Sequence, residues 1–222
     1  ELLTKHWRLF RENEQRDIYL AAINFCIRRI NSGKREFMRE AFDLYRIGLE
    51  NRSLFENGVL SRFTYKNAVT SGLFLREFEW VRQFLDEYKS FLPARERHPA
   101  YCYNLAVYYF RLPDYDEAMT LLREADFGDD VMTNLDARSM LLRIYFERGY
   151  FDALDSWLDS FQAYLRRHKD IGYQQENYAN LLRFVRSIIK ESPLTASTKL
   201  RLRTAVEEAK NVAEKGWLLE QL

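Results

Sequence analysis

Four asparagines occupy one recurring place in this chain. Asn24, Asn67, Asn104 and Asn180 each stand one residue before a pair of small or apolar residues, inside a stretch of helical periodicity. Met140 takes that place in a fifth stretch. A primary amide carries a donor and an acceptor together, so it can pair with a peptide group whatever the sequence of the segment it holds. A ladder of amides is chemistry for gripping a main chain. Cations on the same stretches, Lys66, Arg111, Arg143, Arg183 and Arg186, would tilt the selection of side chains toward acidic ones, and Asp136, Glu147 and Glu176 partly offset that tilt. The rings of Tyr103 and Phe110 are expected on the same surface.

Nothing in the chain converges for turnover. It contains no H-E-x-x-H, C-x-x-C or G-x-S-x-G. The histidines His6, His98 and His168 are read as lacking a second histidine or cysteine at ligand spacing, so no metal, no cofactor and no enzymatic role is expected. Asn31-Ser32-Gly33-Lys34 looks like a phosphate loop but lacks the preceding strand and the first glycine, and reads as a helix end with a glycine cap. Cys26 and Cys102 fall on apolar helix faces and read as small buried hydrophobes in a reduced protein.

The elements that would carry the asparagines are helices throughout. Apolar residues recur at helical spacing, no pair of segments reads as strands, and all four prolines are expected at boundaries, with Pro99 opening a helix. The helices are expected over residues 17–31, 35–50, 59–74, 77–91, 99–111, 115–126, 132–147, 151–168, 173–190 and 198–222. Residues 1–13 read as the second helix of an upstream hairpin, 14–190 as the body of the array and 191–222 as a terminal cap. In the cap, Leu202, Ala205, Val206, Ala209, Val212 and Trp217 share one side, with charged residues on the other.

The helices pair into hairpins that repeat. Ala68-Val69, Leu105-Ala106, Leu141-Leu142 and Leu181-Leu182 hold one slot in successive first helices, 37, 36 and 40 residues apart. Within hairpins, Val69 and Val81, Ala106 and Ala118, and Leu142 and Leu154 are each 12 apart, as expected where two antiparallel helices cross.

These residues resemble the tetratricopeptide repeat family, whose pattern runs Leu-Gly/Ala, Tyr, a turn, Ala, then a large apolar residue. The hairpin from Pro99 matches with Leu105-Ala106, Tyr109, Tyr115, Ala118, Leu122 and Ala125. The next follows with Leu142, Tyr145, Gly149, Phe151, Leu154, Leu158 and Phe161. The hairpin around Ala68 departs from it, with Gly72 in the place of Tyr109 and Tyr145. The resemblance implies an all-α fold, a right-handed superhelical array of antiparallel hairpins, because one hairpin cannot bury its apolar face alone. It also implies that the asparagine face lines a concave groove for a protein or peptide partner. The carboxylate clamp found in part of the family is not carried over, because only Lys66 and Asn104 fit its slots.

Composition bounds the alternatives. The net charge of +1 gives no bulk attraction to nucleic acid or to a membrane surface. No apolar run approaches the roughly 18 residues that span a bilayer, and a cytoplasmic address is the expectation. The rival readings are a structural spacer or self-association module, and, behind it, a helical repeat that reads single-stranded RNA.

Overall fold

The computed structural model describes residues 9–222. Among them the chain is all-α apart from one short ribbon. The helices are α1 (Glu12–Asn31), α2 (Phe37–Glu50), α3 (Arg62–Phe74), α4 (Phe78–Tyr88), α5 (Ala94–Arg111), α6 (Tyr115–Glu124), α7 (Val131–Glu147), α8 (Phe151–Arg167), α9 (Tyr173–Lys190), α10 (Ala196–Glu208) and α11 (Lys215–Glu220). Strands β1 (Phe55–Glu56) and β2 (Val59–Leu60) pair antiparallel between α2 and α3. Most of the helix expected over 1–13 lies outside the described residues, and α1 opens at Glu12 rather than Asp17.

Two compact units divide between Asp126 and Phe127, inside the stretch expected as one array over 14–190. In the N-terminal unit α1 packs on α2, α2 on α3, α3 on α4, both on α5, and α5 on α6. In the C-terminal unit α7 packs on α8, α8 on α9, and α9 on both α10 and α11. Residues 191–222 thus belong to the second unit.

The residues expected at the crossings are buried. Val69, Val81, Ala106, Ala118, Leu142 and Leu154 are all 0% exposed. The departure at Gly72 has a steric cause. A Cβ on Gly72 would stand 2.5 Å from Val81 Cγ2 and 3.2 Å from Phe42 Cε2, so α3 and α4 meet too closely there for a side chain. Around this contact Trp80 stacks on Phe84 and Phe84 on Tyr88, with centroids 5.0 and 4.9 Å apart. The Tyr65 hydroxyl donates to Leu85 O at 2.8 Å, which satisfies the one polar atom of a fully buried ring.

Four boundaries correct the sequence reading. The strand pair at 55–60 was not expected. Asn57 and Gly58 take φ of 51° and 77°, the positive pair that a two-residue hairpin turn requires. That ribbon absorbs Val59 and Leu60, so α3 starts after Ser61, whose Oγ accepts from Thr64 N at 3.1 Å. Pro99 does not open a helix but lies inside α5, which begins directly after Pro93. Pro99 is the sixth residue of α5, past the first turn, so it forgoes the N–H that would bond Arg95 O. Finally, the expected terminal helix over 198–222 breaks after Glu208 into a strap and the short α11. Lys215 Nζ folds back to Glu207 O and Ala209 O at 2.7 and 2.9 Å, satisfying carbonyls at the end of α10. Asn31-Ser32-Gly33-Lys34 closes α1 as a glycine cap, with Gly33 at φ +90° and Lys34 N bonded to Arg29 O.

Candidate binding surface

In the N-terminal unit, α3 buries Tyr65, Ala68, Val69 and Gly72 and turns Phe63, Asn67, Thr70 and Phe74 outward. The outward residues follow i, i+4, i+7 and i+11, which is one face of an α-helix. Phe63 is 65% exposed and Phe74 49%, two large rings left in water at the ends of a polar middle. At 1.5 Å per residue this face is about 16 Å long, enough for roughly five residues of an extended chain.

The predicted residues separate in this environment. Asn24 on α1 and Asn67 on α3 are exposed. Asn67 also hydrogen-bonds the Tyr45 hydroxyl, whose pKa burial pushes up to about 12 against the lowering effect of that bond. Lys66 sits over the Tyr103 ring, 5.0 Å from its centroid. Tyr103 is buried rather than presented to a ligand, and Phe110 is half-buried against Tyr115 at 5.6 Å. Asn104 is 3% exposed, and its Nδ2 donates to Ala100 O at 2.7 Å on its own helix. Arg111 is exposed in the last turn of α5.

In the C-terminal unit, Asn180 on α9 does grip a main chain, that of the strap: its Nδ2 donates to Asn211 O at 2.7 Å. Arg143 on α7 pairs with Glu214 at 2.8 Å and with Glu147 at 3.8 Å. Arg183 is exposed, with its guanidinium over the Phe184 ring at 4.3 Å. Arg186 pairs with Asp159 at 2.7 Å and Asp155 at 3.7 Å. Asp136 accepts from the Tyr178 hydroxyl at 3.0 Å, and burial first, then that carboxylate, raise the tyrosine's pKa.

No protein-family model matches the chain, and no curated protein or solved structure is significantly similar to it.

His98 and Cys102 correct the reading of the histidines. They stand at i, i+4 on α5, and Cys102 Sγ lies 3.7 Å from His98 Nε2. Burial raises the thiol's pKa, with the Glu124 charge adding to it. Two side chains are half of a tetrahedral set, and among the described residues no group of three could hold a metal ion. Among the same residues no helix is long and apolar enough to cross a membrane.

Three features escaped sequence reasoning. Phe63 and Phe74 were not singled out, although their spacing puts them on the face opposite Tyr65 and Val69. The β-ribbon borders an open cleft of about 460 Å³ beside Phe63, lined also by Val59, Pro93 and the ion-paired Arg16 and Glu56. The Asn57-Gly58 dipeptide was the signal for that ribbon. The strap had only a weak signal, the run of polar and small residues Ala209–Ala213.

Proposed function

We propose that the chain is a cytoplasmic adaptor of tetratricopeptide type, with hairpins stacking in a right-handed superhelical sense within each unit. Its first helices hold a peptide or helix of a partner protein. The observation that carries this reading is the outward face of α3, where exposed rings at Phe63 and Phe74 flank the amide of Asn67. Large exposed apolar side chains in register along one helix are a docking pattern, with anchors at the ends and a main-chain donor between them. The slots at Asn104 and Tyr103 act in packing, which restricts the ligand-facing part of the ladder in this unit to Asn24 and Asn67.

The test is affinity capture from the source lysate with wild type, Phe63→Ala/Asn67→Ala and Asn104→Ala. Loss of an aromatic anchor costs about 2 kcal/mol or more, roughly thirtyfold in affinity. The first variant should lose the captured protein with helical content unchanged, and Asn104→Ala should keep it. A partner retained equally by all three places recognition elsewhere.

A further inference from the structure

The segment Asn211–Trp217, the strap after α10 together with the first turn of α11, lies against α7 and α9, with Trp217 buried at its end. Three of its groups are held at three-residue intervals. Asn211 O accepts from Asn180 Nδ2 at 2.7 Å. The Glu214 carboxylate accepts from Arg143 Nη1 at 2.8 Å. The Trp217 indole donates to Glu147 Oε1 at 2.8 Å, its ring edge-on to Phe146 at 5.3 Å and under the Arg143 guanidinium at 5.4 Å. Between them Ala213 N donates to Asn177 O at 3.0 Å, and Asn211 Nδ2 to Glu176 Oε2 at 2.8 Å. The backbone is not regular across the contact: Glu214 takes φ 54°, and α11 has only six residues.

Two features mark this as a receptor rather than ordinary packing. The main chain of the strap is recognised by a side-chain amide and a helix carbonyl, neither of which depends on the strap's sequence. Specificity lies in a carboxylate, an indole and the Asn211 amide, each held by a side chain of α7 or α9. We propose that the α7–α9 face is a binding site for a partner segment carrying an acidic residue three positions before a tryptophan, and that residues Asn211–Trp217 fill it in cis as an exchangeable competitor. The inference rests on the amide-ladder reading but on other residues than the α3 face, so either can fail alone.

Competition has a quantitative consequence. A ligand that needs an open site binds with its intrinsic Kd divided by the open fraction. The cis segment is present at high effective concentration, which keeps that fraction low in the wild type. Weakening the strap should therefore strengthen binding in trans.

The experiment uses the full chain and a fluorescein-labelled peptide with the sequence of residues 209–222. Anisotropy should show at least tenfold tighter binding to Trp217→Ala than to wild type, with Arg143→Ala or Asn180→Ala in that background reversing the gain. A peptide lacking the tryptophan should not bind. If Trp217→Ala does not fold, Glu214→Gln, which removes only the ion pair, should show a gain of about three- to fivefold. Hydrogen exchange on the wild type gives an independent reading: excess peptide should speed exchange of the Ala213 amide as the strap is displaced. Equal affinity for wild type and the weakened variants, with Ala213 exchange unchanged, overturns the proposal. A wild-type dimer on a sizing column that Trp217→Ala dissociates also overturns it, because the occupant would then be a second copy of this chain.

Discussion

Adding one methyl group at Gly72 tests how closely the hairpins are built. Alanine is favoured over glycine within a helix by about 1 kcal/mol, so propensity alone predicts that Gly72→Ala stabilises the protein. The structure predicts the reverse. The new Cβ would stand 2.5 Å from Val81 Cγ2, at least about 1 Å inside an ordinary carbon–carbon contact of 3.5–4.0 Å, with Phe42 at 3.2 Å behind it. Val81 is 0% exposed and Phe42 2%, so neither has open space to move into. Overpacking of this kind costs about 1–3 kcal/mol. With two tight contacts the upper end applies, and after the propensity gain the net loss is about 2 kcal/mol. Val81→Ala removes the obstructing methyl groups. In that background only the 3.2 Å contact with Phe42 remains, so Gly72→Ala should become roughly neutral, a coupling of about 2 kcal/mol between the sites. The assay is urea unfolding of the four proteins of the cycle, compared at constant m. A stabilising Gly72→Ala in the otherwise wild-type chain, or additive effects, would refute the steric account of why this hairpin departs from the repeat pattern.

Two further predictions concern buried polar groups. Burial pushes the Tyr45 hydroxyl up to about 12, above its unfolded value near 10. Its contribution is therefore fully present below pH 10 and is lost as pH rises from 10 to 12, by about 2–3 kcal/mol; Tyr45→Phe should flatten that part of the stability–pH curve, and an unchanged slope would sink the assignment. Arg138 lies between Trp157 and Tyr164, 5.2 and 4.4 Å from their centroids, and its Nε and Nη1 are buried with no hydrogen-bond partner among the described residues. Desolvation lowers its pKa. Arg138→Met keeps the packing and removes an uncompensated charge, so its Tm should equal or exceed that of wild type, whereas Arg138→Ala should lower Tm by several degrees.

The periodic part of the molecule was legible because burial in a helical hairpin is local. Leu105-Ala106, Leu141-Leu142 and Leu181-Leu182 sit on faces fixed by the 3.6-residue repeat, and their burial needs only that some neighbour covers them. The candidate surface was legible only in position. Asn67 and Asn104 hold the same slot, yet one is exposed and the other 3% exposed. Periodicity gives the two the same place on their helices, but how far neighbours cover that place is a property that one helix's own sequence does not encode.

By itself the sequence determined the helical class and which residues of each helix are buried, since short-range periodicity and apolar burial dictate both. The ribbon at Asn57-Gly58 was within its reach too, because two positive φ values are a local backbone requirement. Only the tertiary structure decided that Gly72 is a point of contact and that the chain divides at Asp126–Phe127. Only there does Asn180 meet Asn211 O, and Arg143 meet Glu214. Those pairings join residues 31 and 71 positions apart, and they exist because α10 ends at Glu208 and returns the chain across α9. A helix terminus that turns the chain back is chosen by what the returning segment can bury and bond, and that partner surface forms only when the fold does.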